Sequence, residues 1–422
     1  MITPMTIRGR VAAILAGCIA VWAIAAIAHA APGDVYVADR GAGPGGTGAI
    51  FRVDITSGER TVLASGPPLV RPSDMVFDRG GDLIVTDEGA EAIFRVSVAT
   101  GAVSEVAKGG QLADPWGVTF GPGGRLFVAD TGLETPAALI FRINAENGAK
   151  MQLASGPPLV DPTGITEAPD GSLIVTDLNM LNGGDDGAVY RVDAASGAVS
   201  PIASGPPLAD PWGLYAAADG HIVIADGAAG GGSGAILLLD PATGAVSTLA
   251  TSPDFAEPSD VTLLGNQQVL IADPDAAAGT GALFSANPAS GAVSTIAAGA
   301  PFVDPDSVLA EPPTCGALLA TIVGTPGNDK LTGSRFADVI SGGDGNDVIR
   351  GANNNDVICG DDGNDRINGS KGADQLYGGA GKDRINGAPG PDVIDGGPGR
   401  DRCDGKGSKD RATGCERSKH IP

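Results

Sequence analysis

The chain has 422 residues, with 66 glycines, 31 prolines and a hydrophobic content of 42%. This length exceeds that of one ordinary domain and the apolar content excludes a disordered chain, so we expect two turn-rich, all-β domains. The formal net charge of −23 disfavours nucleic acid and anionic membranes as partners, because both repel an acidic protein, and it favours cations.

Residues 1–30 have the features of a secretory signal peptide. Arg8 and Arg10 precede an apolar run over residues 11–27, and the small residues of AHA at 28–30 are typical of cleavage after Ala30. LAGC at residues 15–18 also fits lipidation at Cys18, but a polar tether normally follows a lipidated cysteine and here the apolar run continues. An uncleaved anchor is less favoured because 17 apolar residues are at the short limit for a span. We therefore expect a secreted, extracellular protein with no membrane span after cleavage, and cell-surface association as the alternative.

A four-stranded unit repeats six times across residues 31–311. RPSDMVF at residue 71 is followed by related segments at 114, 161, 210, 257 and 304, spaced 43 to 49 residues apart. Five of them precede a strand that ends in aspartate, such as LIVTD or LFVAD, then a strand such as AIFRV and an SGAVS-like segment. Short strands bounded by Gly, Pro and Asp turns at this period predict a six-bladed β-propeller.

The two ends of this region predict how the ring closes. The sixth inner strand, residues 306–310, lacks a following partner strand, whereas DVYVAD at residues 34–39 lacks a preceding inner strand. We expect the two fragments to complete one blade, which removes the exposed sheet edges. An open solenoid or a two-sheet sandwich would leave both fragments unpaired.

The strand order and the GxLxVxD element resemble the NHL and SMP-30-like six-bladed propellers over residues 31–311. On that fold one face gathers the aspartates that end the second strands, together with two further acids and two aromatics. The candidates are Asp39, Asp87, Asp130, Asp177, Asp226, Asp273, Asp74, Asp260, Trp116 and Trp212. They could bind a cation or a sugar, but we favour turn capping for the six strand-terminal aspartates and blade packing for the tryptophans. The ligand could be a small molecule, a glycan or a protein.

Enzymes that resemble this propeller include metal-dependent lactonases and histidine-dependent lyases. Over residues 31–311 the propeller region holds one histidine, His221, in DGHIVIAD, where strand and turn packing is the simpler explanation. We therefore assign no catalytic or cofactor-binding residues on the propeller and favour a recognition platform over an enzyme. A secreted metal-dependent lactonase- or lyase-like enzyme is the alternative.

After a linker at residues 312–323, ten nonapeptides fill residues 324–413, and residues 414–422 form a tail. All ten carry aspartate at position six, as in GGDGNDVIR and GDDGNDRIN. They resemble the GGxGxDxUx repeats of RTX-type, or hemolysin-type, calcium-binding proteins, which implies a parallel β-roll that binds several calcium ions. The implied calcium-binding residues are Asp329, Asp338, Gly342, Gly343, Gly345, Asp347, Asp356, Gly360, Gly363, Asp365, Asp374, Gly378, Gly381, Asp383, Asp392 and Asp401.

Each half of the repeat has a physical role. Glycine allows a tight turn whose carbonyls converge, and the aspartate adds a carboxylate, which gives the all-oxygen shell that calcium prefers. The resemblance implies two nonapeptides per coil, so alternate turns lie on opposite edges, 18 residues apart. On the second edge Phe336, Asn354 and Ser408 replace the glycine at position four. We expect tighter binding along the first edge, with Asp338 the poorest ligand. A calcium-free, glycine-rich β-helix is the alternative.

The four cysteines after residue 30 all lie in the last quarter of the chain, and an even number in an exported protein implies two disulfides. Three pairings are open to the sequence. On the implied roll we expect Cys315–Cys359 and Cys403–Cys415, because each would cap one end of a stack that lacks a neighbouring coil.

Overall fold

The computed structural model describes residues 34–121, 123–132, 138–178, 186–217, 220–264, 268–316, 318–406 and 409–421. The expected signal peptide, Cys18 and Ser408 lie outside these ranges. No helix in the described ranges has the length and apolar character needed to cross a membrane. The fold is all-β apart from two four-residue helical turns, α1 (Ala229–Gly232) and α2 (Ala276–Gly279).

Six four-stranded antiparallel sheets form the blades of the predicted propeller. The first blade contains β1 (Val35–Asp39), β2 (Ala49–Val53) and β3 (Arg60–Ser65), and the second β4 (Pro72–Phe77), β5 (Leu83–Asp87), β6 (Ala92–Val96) and β7 (Val103–Lys108). The third contains β8 (Pro115–Gly121), β9 (Arg125–Asp130), β10 (Leu139–Ile143) and β11 (Lys150–Ser155). The fourth contains β12 (Pro162–Glu167), β13 (Leu173–Asp177), β14 (Ala188–Val192) and β15 (Val199–Ser204).

The fifth blade contains β16 (Pro211–Ala216), β17 (Ile222–Asp226), β18 (Ala235–Asp240) and β19 (Ala245–Ala250), and the sixth β20 (Asp260–Leu263), β21 (Val269–Asp273), β22 (Ala282–Ala286) and β23 (Val293–Ala298).

Burial follows the position of each strand within its blade. The second strand, such as LIVTD of β5, is buried along its whole length, because neighbouring blades cover both faces. The fourth strand, such as β7, is mostly exposed at the outer edge of the ring.

The ring closes as predicted. A last inner strand, β24 (Pro305–Ala310), pairs antiparallel with β1, so that Val35 lies opposite Ala310 and Val37 opposite Val308. The first blade therefore takes three strands from the N-terminal side of the propeller and one from the C-terminal side, in the order β24-β1-β2-β3. This pairing confirms six blades and leaves no inner edge unpaired.

A short hairpin of β25 (Thr314–Cys315) and β26 (Leu318–Leu319) leads into the predicted β-roll. One parallel sheet contains β27 (Ile322–Val323), β29 (Val339–Ser341), β32 (Val357–Cys359), β35 (Gln375–Tyr377), β38 (Val393–Asp395) and β40 (Arg411–Thr413). The opposite sheet contains β28 (Lys330–Thr332), β31 (Val348–Arg350), β34 (Arg366–Asn368), β37 (Arg384–Asn386), β39 (Arg402–Asp404) and β41 (Arg417–Lys419). A third ladder of two-residue strands contains β30 (Asp344–Gly345), β33 (Asp362–Gly363) and β36 (Ala380–Gly381).

The core of the roll is one aliphatic residue wide on each sheet. Ile349, Ile367 and Ile385 occupy equivalent central strand positions in successive coils, paired at 18-residue intervals, and each is at most 2% exposed. This spacing confirms two nonapeptides per coil. Disulfides Cys315–Cys359 and Cys403–Cys415 are the two expected pairings, with Cα–Cα distances of 5.7 and 6.1 Å.

Candidate metal centre

The position-six aspartates of the roll form two ladders, one along each edge. From Asp347 onward, one oxygen of each carboxylate, Oδ1, accepts a hydrogen bond from the backbone N–H of the aspartate 18 residues earlier. Asp347 N donates to Asp365 Oδ1 at 2.8 Å, and Asp365 N donates to Asp383 Oδ1 at 2.9 Å. On the other edge Asp356 N donates to Asp374 Oδ1 at 2.9 Å. The Oδ1 atoms thus stack the coils in register.

The second carboxylate oxygen, Oδ2, has no such role. Among the residues that the structure describes, it is buried without a hydrogen-bond donor in seven aspartates, namely Asp347, Asp356, Asp365, Asp374, Asp383, Asp392 and Asp401. These side chains belong to residues no more than 1% exposed. A buried carboxylate oxygen without a donor is costly, so a regular series of them along both edges calls for a compensating cation.

The glycine at position one brings a second oxygen close to each Oδ2. A Cβ on Gly342 would lie 2.6 Å from Asp347 Oδ2 and 2.6 Å from the carbonyl oxygen of Gly360, in the next coil. A Cβ on Gly360 would likewise lie 2.4 Å from Asp365 Oδ2 and 2.5 Å from Gly378 O. Carboxylate and carbonyl oxygens therefore converge where no side chain fits. Such all-oxygen sets suit calcium, so the residues present fit this ion.

Burial raises the pKa of these carboxyl groups. The pKa is raised to about 8 for Asp356, to about 7 for Asp365 and to about 6 for Asp383 and Asp392, with neighbouring aspartates of the ladder adding to the effect. A divalent cation would act in the opposite direction, because it favours the ionised form. No three Asp, Glu, His or Cys side chains converge within the described ranges, so each ion would rely on backbone carbonyls as well.

The first coil differs from the others. Asp329 Oδ2 accepts hydrogen bonds from the N–H and hydroxyl of Thr325 at 2.6 and 2.8 Å. Asp338 Oδ2 accepts them from the N–H and hydroxyl of Ser334 at 2.7 and 3.1 Å. A threonine or serine at position two thus supplies the donors that the later coils lack. Calcium binding at Asp329 and Asp338 stays a prediction, but the structure does not group them with the other seven aspartates.

The sequence does not reveal the special backbone conformation at position two of the nonapeptide. From the third nonapeptide onward this residue has a positive φ, even where it is not glycine: Ala352 (85°), Asp361 (66°), Ser370 (74°), Ala388 (70°) and Lys406 (54°). The nonapeptides place Gly, Ala, Asp, Ser and Lys there, so residue type gives no signal. Thr325 and Ser334 are not in this conformation. The backbone at position two therefore separates the first coil from the rest.

The proposed difference between the two edges is not visible in the carboxylates. Unpaired Oδ2 atoms occur on the first edge, at Asp365, and equally on the second, at Asp374. Asn354, at position four of the second edge, adopts a φ of 68° and donates its amide to Arg335 O at 2.6 Å. The expected rank order of affinities stays a prediction, and the geometry divides the aspartates by coil instead.

On the propeller, the six strand-terminal aspartates are buried turn caps, as favoured above. Asp87 accepts N–H bonds from Val70 and Arg71, in the loop before its blade, and from Ala90, in the turn after its strand, at 2.8 to 2.9 Å. All six are 0% exposed. The alternative of an acidic rim built from these residues is therefore wrong, because their oxygens already serve backbone donors.

Asp74 and Asp260 lie inside the central channel. The hydroxyl of Ser307 lies 3.1 Å from Asp74 Oδ1 and 2.8 Å from Asp260 Oδ2. Burial raises the pKa of Asp74 to about 7 and that of Asp260 well above its ordinary value. Because one hydroxyl has one proton to donate, a second proton on either carboxyl group completes this bridge.

Trp116 and Trp212 contact each other at the channel mouth, with ring centroids 4.9 Å apart and ring planes inclined at 45°, rather than packing between blades as expected. The guanidinium of Arg40 lies 4.9 Å above the Trp116 ring. The cavity that these rings line measures only about 30 Å³.

His221 lies in the turn after β16, where its carbonyl accepts the Ala217 N–H at 2.8 Å.

Comparison with known families identifies the repeats. Residues 323–358, 360–393 and 382–411 match the RTX calcium-binding nonapeptide repeat (4 copies). No curated protein matches the chain.

Among solved structures, a chain of a nidogen/laminin complex aligns with a TM-score of 0.54 and 19% identity, covering 66% of this chain and 98% of that one. At this identity the likeness supports the propeller fold alone. Virginiamycin B lyase from Staphylococcus aureus aligns with a TM-score of 0.43 and 18% identity, over 63% of this chain and 84% of that one. A streptogramin B lyase aligns with a TM-score of 0.43 and 19% identity, over 62% and 87% of the two chains.

Proposed function

We propose that this is a secreted calcium-binding protein, in which the roll folds around several calcium ions and the propeller is a platform for recognising a ligand or partner. The observation that carries the proposal is the series of seven buried Oδ2 atoms without donors, within repeats that match a calcium-binding family. The disulfides are consistent with an oxidising, extracellular environment.

Calcium would supply the positive charge that the edges of the roll lack. The ligands in this chain would be the Oδ2 atoms of the seven aspartates, together with position-one carbonyls such as Gly360 O. The core of the roll is thin, so its apolar burial offsets little of the conformational entropy lost on folding. Ion binding should therefore contribute a large part of the folding free energy of the roll.

Titration of the full chain with CaCl₂ after EGTA treatment tests this proposal. We expect several binding events by isothermal titration calorimetry, a gain of β signal by circular dichroism and a raised melting temperature. At a free calcium concentration 100 times the Kd, each site should add about 2.7 kcal/mol to the free energy of unfolding.

MgCl₂ is the matched control. Magnesium gives up its water shell reluctantly and demands octahedral geometry, so it should reproduce little of the effect. A chain that shows the full β signal in EGTA and no heat with CaCl₂ would contradict the calcium proposal.

Secretion and the role of the propeller have separate tests. Mass spectrometry of the exported protein should find Ala31 at the N-terminus, and an acylated Cys18 would contradict cleavage after Ala30. The lactonase- or lyase-like alternative is tested by turnover of a lactone panel with and without CaCl₂. Binding of a ligand without turnover would support the platform.

A further inference from the structure

A cavity of about 600 Å³ lies between the propeller and the first coil of the roll. The C-terminal end of the inner strand of every blade forms part of the cavity wall. The six residues at these ends are Phe77, Phe120, Glu167, Ala216, Leu263 and Leu309. All six are half-buried and line the cavity. This volume and this mostly apolar lining are typical of sites for small organic ligands.

The first coil of the roll forms the opposite wall. Ile322, Leu331 and Phe336 line the cavity from that side. The Phe336 ring packs against the turn after β8, where a Cβ on Gly123 would lie 3.1 Å from it. Arg79, in the turn after β4, donates to Ala337 O at 3.3 Å. The roll is thus held over the face of the propeller by specific contacts.

Toward the channel the cavity ends at a constriction. There the backbones of neighbouring inner strands meet, so that a Cβ on Gly164 would lie 2.4 Å from Trp212 O and one on Gly213 would lie 2.1 Å from Asp260 Oδ1. Ser307 bridges Asp74 and Asp260 at the same level. The cavity at the channel mouth, which shares several of these residues, holds about 30 Å³. A ligand would therefore be bound on the roll side.

Acidic residues on the wall outnumber the two basic ones, Arg79 and Lys330, so the lining favours a positively charged ligand. Within the described part of the chain the Glu167 carboxylate has no hydrogen bond or ion pair, and its charged neighbours are the acids Asp338 and Asp170. Burial raises the pKa of Glu167 to about 7. Four aromatic rings share the lining, those of Phe77, Phe120, Tyr215 and Phe336. A carboxylate beside aromatic faces is the environment that binds ammonium groups.

We propose that this chamber, defined by the inner-strand ends and the first roll coil, binds an apolar molecule that carries one ammonium group, with Glu167 as its counter-ion. The inference rests on the proposed recognition role of the propeller and adds its location and ligand class. The apolar part of the ligand would contact the aliphatic and aromatic wall, and the ammonium would lie beside Glu167.

Three probes with the same alkyl chain test the ligand class: octyltrimethylammonium, octanol and octanoate, each titrated calorimetrically into the full chain in CaCl₂. We expect one site for the ammonium and binding at least about tenfold weaker for octanol and octanoate, since neither brings a positive charge to Glu167 and the aromatic rings. Equal affinities for all three probes would overturn the ammonium assignment.

Two variants and a control test the location. Glu167→Gln should weaken ammonium binding about tenfold and leave octanol binding unchanged. Ala216→Phe places a ring in the chamber beside the proposed site and should weaken binding of all three probes. Glu105→Gln removes an exposed carboxylate on the outer strand β7 and should change nothing. Unchanged ammonium binding in Ala216→Phe, with a normal melting transition, would place the site elsewhere and overturn the proposal.

Calcium titration of the same samples separates the two proposals. If calcium binds and folds the roll but no probe binds the wild type, the chamber proposal fails and the calcium proposal stands. If no calcium binds while the ammonium probe still binds as described, the calcium proposal fails and the chamber stands.

Discussion

Seven aspartates at position six of the roll, from Asp347 to Asp401, use their two oxygens differently. Oδ1 accepts an N–H from the preceding coil, whereas Oδ2 lies against the position-one glycine without a donor. The residue type and its period predict a carboxylate on each edge. They do not reveal that only one of the two carboxylate oxygens is hydrogen-bonded within the protein. Only the three-dimensional structure distinguishes the first coil, where Thr325 and Ser334 supply donors to the second oxygen.

Substitution of single aspartates should show this division by coil. Asp347→Ala should weaken calcium at its site at least about tenfold, because loss of even an outer-shell partner costs about 10–100-fold. Asp329→Ala should leave the number of bound calcium ions unchanged, because Asp329 Oδ2 already accepts two hydrogen bonds from Thr325. Calorimetric stoichiometry and affinity on the full chain are the measurements.

Asp365→Ala and Asp374→Ala provide the matched comparison between edges, and Asp338→Ala completes the series. The position-four glycines predict a larger loss for Asp365→Ala, whereas the equally unpaired Oδ2 atoms predict similar losses. A loss of ions in Asp329→Ala as large as that in Asp347→Ala would contradict the division by coil.

The buried pair in the channel should make the propeller less stable as pH rises. The folded pKa of Asp74 is raised to about 7, so between about pH 4 and 7 the folded state holds a proton that the unfolded state has released. Stability must fall with rising pH across this window, by at most about 1.4 kcal/mol per pH unit for each proton. Asp260→Asn should flatten the slope, although it also lowers the stability itself.

Urea unfolding at pH 5 and pH 8 in saturating CaCl₂, followed by tryptophan fluorescence, measures this effect. Trp116 and Trp212 lie at the channel mouth, so the signal reports on the propeller rather than on the roll. Stability that rises from pH 5 to pH 8, with the same slope in Asp260→Asn, would show that the pair does not titrate as described.

Among the elements, β1 has the most direct role in closing the ring. Its five residues are fully buried and pair with β2 on one side and β24 on the other. Deleting residues 33–39 should therefore abolish the cooperative melting transition of the propeller, because β24 loses its partner and the ring acquires two open edges.

The control for this deletion is Val62→Asn in β3, where Val62 is 57% exposed at the outer edge of the same blade. It should change the free energy of unfolding by less than about 0.5 kcal/mol. Calorimetry on both variants makes the comparison. A deletion variant that keeps the full transition of the wild type would count against closure through β1.

The strands were predictable because their signals are local: the alternation in AIFRV, the buried run in LIVTD and the period of the aspartates all belong to neighbouring residues. Ring closure was predictable because two incomplete units remained, one at each end. The burial of Asp87 and its relatives, the Ser307 bridge and the chamber were not, since each depends on residues brought together from different blades. The positive φ at position two of the nonapeptide was not predictable, because residues of several types adopt it there.

At the scale of the whole molecule, the chamber connects the two parts of the chain. Its outer wall is the first coil, and that coil stacks on the second through Asp329 N to Asp347 Oδ1 and Asp338 N to Asp356 Oδ1, at 2.8 and 2.9 Å. The second coil presents the first unpaired oxygens, at Asp347 and Asp356. Calcium should therefore stabilise the wall without touching the chamber.

This arrangement predicts coupling between the two kinds of ligand. Octyltrimethylammonium should bind at least about tenfold more weakly in EGTA than in CaCl₂, and the ammonium should raise the overall calcium association constant, taken as the product over all sites, by the same factor. Calorimetric titrations in both orders measure the two factors. Equal ammonium affinity with and without calcium would show that the wall forms independently of the ions.

The last turn of the roll ends the first-edge ladder with a different side chain. Asp401 N donates not to an aspartate 18 residues later but to Glu416 Oε2 at 2.6 Å, 15 residues later, and the Cys403–Cys415 disulfide fixes that turn. An open coil end would offer its backbone to the first coil of another molecule, and such head-to-tail stacking has no natural limit. Because the glutamate side chain is longer than that of aspartate, its Oε2 reaches the Asp401 N–H even though Glu416 lies 15 rather than 18 residues later. Glu416 thus removes one unpaired backbone donor at the end of the solenoid, where head-to-tail stacking could otherwise begin.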